Sequence, residues 1–230
     1  MMLHGLQKMT LLDFPGRVAC TVFLGGCDFR CPFCHNYELA DGSARPVMDE
    51  AALMAFLEKR RGLLDGVAIT GGEPCLRPDL PDLMRHIRGL GFAVKLDTNG
   101  THPELLNAIL REGLADYVAM DIKNSPEKYA RTAGLAELDL TPIRRSVALL
   151  TAGNVDYEFR TTVVDELHDA DDIEAIGAWI AGARRWFMQP FTDRDTVPYG
   201  GLHAPSAEKM GAWLGIMRRY VPDSRIRGAE

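Results

Sequence analysis

Short apolar, β-branched runs alternate along this chain with stretches in which apolar residues recur three and four positions apart. Strands repeat on a period of two and helices on a period near 3.6, so the two patterns can be separated. The runs at residues 17–24, 66–70, 93–97, 116–121, 157–164 and 185–189 predict six strands. Residues 48–61 predict a helix with Leu53, Phe56 and Leu57 on one face. Asp79 reads as a helix cap, after which Leu80, Leu83, Met84, Ile87 and Leu90 repeat until Gly91 ends the helix. Thr101-x-x-Glu104 reads as a capping box for a helix carrying Leu105, Leu106, Ile109 and Leu110. Ser125-Pro126 and Thr141-Pro142 each put proline at a first helical position. Residues 171–181 follow an Asp171-x-x-Glu174 cap, and residues 206–220 predict the last helix.

Six strand-then-helix units in tandem predict an α/β fold with parallel strands joined by right-handed crossovers. Such a sheet can close as a full or partial barrel, or stay open as a doubly wound sheet. A full eight-unit barrel takes about 250 residues, so six units favour a partial (β/α)6, TIM-like barrel. The pattern predicts a single domain over 1–230, with a lead-in at 1–13, a core at about 14–190 and a C-terminal helix at about 206–220. A chain of this length buries roughly 70–75% of its unfolded surface.

Composition narrows the function classes. Hydrophobic content of 47% and charged content of 25% are those of an ordinary globular protein. A formal charge of −6 offers no general attraction for nucleic acid. The pairs Arg144-Arg145, Arg184-Arg185 and Arg218-Arg219 are scattered and read as solvated helix faces. No apolar run reaches the ~18 residues that would span a membrane. Lys8 is the only Lys or Arg before Arg17, and no apolar stretch with a small-residue cleavage site follows, so no signal peptide is expected. These features predict a cytoplasmic protein without nucleic-acid or membrane partners.

Three of the five cysteines, Cys27, Cys31 and Cys34, lie within eight residues in C-x3-C-x2-C spacing, followed by His35 and Asn36. Clustered thiols in a reducing compartment point to a metal rather than to disulfides. With His35 as a fourth ligand the set would make a closed zinc site. An iron–sulfur cluster held by three thiolates would instead leave one iron open. Cys20 reads as a small core residue on the first strand, and Cys75 as a free thiol near the site.

In parallel α/β folds, chemistry collects at the C-terminal ends of the strands. The first predicted strand runs into the cysteine loop, and the second ends in Gly71-Gly72-Glu73-Pro74. The third ends in Asp97-Thr98-Asn99-Gly100 and the fourth in Asp121-Ile122-Lys123. Arg160 lies within the fifth, and Gln189 closes the sixth. Each cluster has a plainer reading: a tight glycine turn, a helix start, a surface ion pair, a polar loop residue. Six in register imply a shared site.

The cysteine spacing after a first strand, with Gly71-Gly72-Glu73-Pro74 after the second, resembles the radical S-adenosylmethionine (SAM) superfamily. Motif matches run from about Phe14 to Pro190. Within that superfamily Cys34-His35-Asn36, Asp97-Thr98-Asn99-Gly100 and Asp121-Ile122-Lys123 look like the glycyl-radical-enzyme activases. The opening Leu11-Leu12-Asp13-Phe14-Pro15-Gly16 and the overall length look most like the longer anaerobic ribonucleoside-triphosphate reductase activating proteins. Pyruvate formate-lyase activating enzymes are similar in organisation.

The resemblance implies a [4Fe-4S] cluster on Cys27, Cys31 and Cys34, with the amino and carboxylate groups of SAM on its fourth iron. One-electron reduction would release methionine and a 5′-deoxyadenosyl radical, which would take a hydrogen from a backbone glycine of a partner enzyme. It further implies that Gly71, Gly72, Glu73 and Pro74 form a cradle in which Glu73 and the glycine backbone accept the methionine ammonium. Asp97, beside Thr98, would add a second carboxylate or hold a cation, and Lys123 would meet the methionine carboxylate. Asn36, Asn99 and Gln189 would bond ribose or adenine, with Asp121 and Arg160 in direct contact or one layer behind. His35 would be a neighbour of the cofactor rather than a ligand. Phe29 and Phe33 would shield the cluster, stack near adenine, or simply pack the loop.

No cysteine-rich insertion follows Cys34 and no cysteine-rich extension ends the chain. Both facts argue against branches with auxiliary clusters and imply an external flavodoxin or ferredoxin as reductant. The implied partner is a glycyl radical enzyme, with anaerobic ribonucleotide reductase first and pyruvate formate-lyase as the alternative. A different reaction class also fits the core motifs: a small-molecule enzyme resembling 7-carboxy-7-deazaguanine synthase.

Overall fold

A computed structural model describes residues 1–228. The chain opens with β1 (Met2–Leu3) and β2 (Gly5–Thr10), then β3 (Ala19–Leu24) and a short helix α1 (Tyr37–Asp41). Next come β4 (Met48–Asp49), α2 (Glu50–Glu58), β5 (Gly66–Gly71) and a 3-10 turn at Pro74–Leu76. The regular alternation continues with α3 (Leu80–Gly89), β6 (Ala93–Thr98), α4 (Pro103–Arg111) and β7 (Tyr117–Asp121). Two helices follow, α5 (Tyr129–Thr132) and α6 (Thr141–Ala152), before β8 (Asp156–Val163) and α7 (Ala170–Trp179). The chain ends in β9 (Trp186–Pro190), α8 (Ala207–Met217) and β10 (Ser224–Ile226).

Eight strands form one sheet in the order β10-β9-β8-β7-β6-β5-β3-β2, and β1 pairs separately with β4. From β3 to β10 every pairing is parallel; only β2 is antiparallel to its neighbour. A doubly wound sheet reverses its order at a switch point. Here the order runs one way, as in a barrel, and β2 and β10 are left as its two edges. With right-handed crossovers this order puts the helices on one face and leaves the other to line an interior.

Two apolar clusters follow from that layering. The larger fills the space between sheet and helices, with Val118, Met120, Phe159, Ile173 and Trp213 among its members. The smaller sits in the bore: Phe14 packs there with Ala19, Tyr117 and Ala119, against Ala93. Gly66 allows this, because a Cβ at that position would meet the Phe14 ring at 2.8 Å. Deeper in the bore, Glu158 is fully buried. It accepts from Tyr117 Oη at 2.6 Å and from both Arg227 terminal nitrogens at 2.8 and 2.9 Å. The C-terminal strand is thereby tied into the barrel.

Several sequence expectations shift. The lead-in at 1–13 is an edge strand plus half of a two-stranded sheet, and β10 adds a further parallel strand. Both lie at sheet edges, where only one neighbour supports them and periodicity is weak. Thr101-x-x-Glu104 is not a capping box: α4 starts at Pro103, and Thr101 Oγ1 instead donates to Asp28 Oδ2. The box at α7 is Asp169 with Asp172, two residues before the expected Asp171 and Glu174. Asp79 stands at the N-cap of α3 but makes no side-chain cap bond, whereas Asp49 caps α2 through Ala52 N. Arg184-Arg185 lies before β9 rather than on a helix, with Arg185 bonded to Asp156 and Tyr117. Cys20 is a fully buried core thiol. No helix among the described residues is long and apolar enough to cross a membrane.

Candidate functional site

The cysteine loop leaves the C-terminal end of β3 under tight backbone control. Gly26 N donates to Leu39 O at 2.8 Å, and Arg30 N donates to Ala133 O at 2.8 Å. The Arg30 guanidinium returns to the loop and donates to the carbonyls of Cys27 and Phe29 at 2.7 and 2.8 Å. Asp28 pins the loop to the end of β6, taking Thr101 Oγ1 at 2.8 Å and His102 Nε2 at 2.7 Å. Gly71 and Gly72 are required by close approach. Gly71 has φ +125°, and a Cβ there would overlap the Leu24 backbone. A Cβ on Gly72 would overlap the Gly26 carbonyl. Two hydrogen bonds, Gly72 N to Leu24 O at 2.8 Å and Glu73 N to Gly26 O at 2.7 Å, seal that contact.

A cavity of about 260 Å³ opens beside this contact. Cys27, Cys31 and Cys34 line it, together with His35, Asn36, Gly71 and Gly72. Across the strand ends Asp97, Thr98, Asn99, Asp121, Lys123, Arg160 and Gln189 complete the wall. Phe29 and Phe33 line it too, both buried, with Phe29 edge-on to Tyr129 at 6.3 Å.

Two of the expected site residues face elsewhere. Glu73 is 1% exposed, and its carboxylate accepts from Cys75 N at 2.9 Å, Thr98 Oγ1 at 2.7 Å and Asn99 N at 2.6 Å. That side chain buttresses the end of β6 and leaves only the neighbouring glycine backbone on the cavity. Burial pushes its carboxyl above the ordinary range, against the lowering effect of those bonds. Pro74 is buried at the start of the 3-10 turn. Cys75 is buried as well, and desolvation holds its thiol well above the ordinary thiol range.

Charged groups on the cavity floor form an alternating chain across β6, β8 and β7. Lys95 Nζ donates to Asp97 Oδ1, and Arg160 Nη1 donates to Asp97 Oδ2 at 3.2 Å. Arg160 Nε donates to Asp121 Oδ1 at 2.8 Å, and Lys123 Nζ donates to Asp121 Oδ2 at 2.9 Å. Burial alone would raise the Asp97 carboxyl; Arg160 and Lys95 outweigh it, and the net shift is downward. Asp121 is likewise held down, with Arg160 and Lys123 outweighing burial. The same pairing holds Lys123 above its ordinary range although burial opposes it. Each Asp97 oxygen is thus engaged by one internal cation.

The donor set suits a metal cluster. Burial pushes the thiols of Cys27 and Cys31 up to about 11 and about 12, and raises that of Cys34. Thiols so placed become thiolates when a cationic centre sits among them. Asn99 Nδ2 lies 3.9 Å from Cys27 Sγ and Phe29 N donates to the same sulfur at 3.4 Å, as groups around a ligating sulfur do. A closed zinc site finds less support. His35 Nε2 is 2.6 Å from Thr192 O and its ring stacks on Phe191 at 5.8 Å.

Sequence reasoning missed three nearby residues. Thr70 and Thr162 line the cavity, and Lys95 lies one pleat below it. The signal was the period of two: Lys95 precedes Asp97, and Thr162 follows Arg160, on one strand face.

Residues 21–177 match the family model described as Radical SAM superfamily. A protein of Methanocaldococcus jannaschii that carries the provisional name of a glycyl-radical enzyme activating enzyme is 30% identical over 235 residues. The match covers 98% of this chain and 95% of that protein. The pyruvate formate-lyase-activating enzyme of Listeria monocytogenes is 32% identical over 142 residues, covering 56% of each chain. Among solved structures, Streptococcus suis SuiB bound to S-adenosylmethionine superposes with a TM-score of 0.69 at 13% identity, covering 90% of this chain and 52% of that one.

Proposed function

The chain belongs to the radical SAM superfamily, and on that premise we propose that it is a glycyl-radical-enzyme activase whose partner is an anaerobic ribonucleotide reductase. The observation that carries the chemistry is the convergence of six consecutive strand ends, three thiols among them, on one cavity. The choice of activase rests on the relative matched along nearly the whole chain. Within that class, the Leu11 to Gly16 motif favours the ribonucleotide reductase branch over pyruvate formate-lyase.

In this reading Cys27, Cys31 and Cys34 hold a [4Fe-4S] cluster, and SAM occupies the cavity beside it. The bound cluster supplies one electron for reductive cleavage of SAM and so a 5′-deoxyadenosyl radical. The protein binds, orients and shields. The Gly71-Gly72 backbone and the Asp97 carboxylate receive the methionine ammonium, and Lys123 and Arg160 present positive charge to its carboxylate. Asn36, held by its Nδ2 bond to Gly71 O at 3.1 Å, lies with Thr98, Asn99 and Gln189 where polar groups of a nucleoside are recognised. Phe29 and Phe33 exclude water from the thiol side of the cavity. Glu73 contributes by fixing the backbone rather than by touching SAM. The electron comes from an external flavodoxin or ferredoxin.

Anaerobic reconstitution with iron and sulfide, followed by dithionite and SAM, tests this reading. The expected product is 5′-deoxyadenosine, lost in Cys31→Ala. A colourless protein holding one tight zinc contradicts it.

A further inference from the structure

Lys95 is 2% exposed, and among the described residues its ammonium has one hydrogen-bond partner, the Asp97 carboxylate. Taking a lysine out of water is costly unless an opposite charge meets it. Asp97 therefore stays ionised in the fold, and Lys95 and Arg160 each take one of its oxygens. Lys95 and Asp97 stand two apart on β6, so both side chains point into the bore. Asp97 reaches the cavity wall and Lys95 does not. One cation grips the carboxylate from below and the other from β8.

We propose that Lys95 is a positioning residue: it fixes the Asp97 carboxylate in the orientation that receives the methionine ammonium of SAM. The inference rests on the functional reading above and deepens it. Arg160 alone cannot do this, because it also holds Asp121 through Nε, so its guanidinium is shared between two carboxylates. Without Lys95 the Asp97 side chain keeps one tether at 3.2 Å and turns about it. The ammonium of SAM would then meet a carboxylate that must be reoriented at the expense of binding.

The test is SAM affinity measured by equilibrium dialysis on the reconstituted, unreduced protein, with iron and sulfide content checked in parallel. Lys95→Met is expected to weaken binding by about 10- to 100-fold, the range for a hydrogen bond to a charged group, with the cluster content unchanged. Lys95→Arg, which keeps the cation, should recover most of the affinity. Asp97→Asn and Lys95→Met/Asp97→Asn separate positioning from general structure. Adding Lys95→Met to Asp97→Asn should cost no further affinity if Lys95 acts through Asp97. The double variant buries no unpaired charge, so this comparison remains informative if Lys95→Met alone folds poorly. Equal affinity of wild type and Lys95→Met, or a further loss in the double variant, overturns the inference. Failure of the wild type to bind SAM overturns the functional reading and the inference together.

Discussion

The Glu73 carboxylate accepts three hydrogen bonds, two of them from backbone N–H groups, in a site with no access to water. Glu73→Gln replaces one accepting oxygen with a donor and sets it against Asn99 N, Cys75 N or Thr98 Oγ1. The variant is expected to lose about 1–3 kcal/mol of stability, read as a lower urea midpoint of the cluster-free protein. An unchanged midpoint with weakened SAM binding would instead make Glu73 a ligand contact. Asp97 and Asp121 behave differently with pH. Both carboxyls titrate below their ordinary range in the fold, so the native state binds fewer protons than the unfolded chain just below that range. The stability they contribute is complete above about pH 4. It is lost as pH falls through the native values. Urea midpoints of the cluster-free protein should change little from this cause between about pH 6 and about pH 4, and drop on acidification from about pH 4 to about pH 2. Asp121→Asn should flatten that drop, and an unaltered slope would contradict the assignment.

At the scale of elements, β10 is held by more than its parallel ladder to β9. Arg227, just beyond it, donates twice to the buried Glu158 and lies over the Phe187 ring at 4.0 Å. Arg227→Met leaves the buried Glu158 carboxylate with Tyr117 Oη as its one hydrogen-bond donor among the described residues, which should cost about 3–5 kcal/mol. Glu158→Gln added to it should restore part of the loss, and thermal melting of the two variants reads the difference. If Arg227→Met melts like wild type, the tie is not holding the strand.

Which elements were legible in the sequence follows the same logic. β5 to β9 are mostly buried and read as short runs rich in apolar, aromatic or β-branched residues, so their existence was plain. β2 exposes Gln7, Lys8 and Met9, and β10 has three residues, so neither carries a pattern to read. Caps were misplaced where a side chain found a distant partner, as Thr101 does in Asp28. The same distinction holds at the site. Polar residues at strand ends were visible because they interrupt apolar runs. The inward turn of Glu73 and the grip of Lys95 depend on which neighbour each side chain meets, and one chain's sequence does not display that. Asp121 and Lys123 show the intermediate case: the period of two placed them on one side, and the structure supplied the bond between them.

For the molecule as a whole, the sequential sheet brings six strand ends to one rim, and Phe14 packs in the bore with Tyr117, Ala19, Ala119 and Ala93. The cysteine loop and the segment after β9 meet at that rim through His35 and Thr192. On the proposed function, the partner's glycine would enter at that rim. The most direct measurement is electron paramagnetic resonance on the reduced, SAM-loaded protein mixed anaerobically with an anaerobic ribonucleotide reductase. The expected result is a glycyl doublet that collapses to a singlet when the partner's glycine is deuterated, and that is absent with Cys31→Ala. Formation of 5′-deoxyadenosine with no protein radical on that or any other glycyl radical enzyme, together with turnover of a small molecule, would contradict the account.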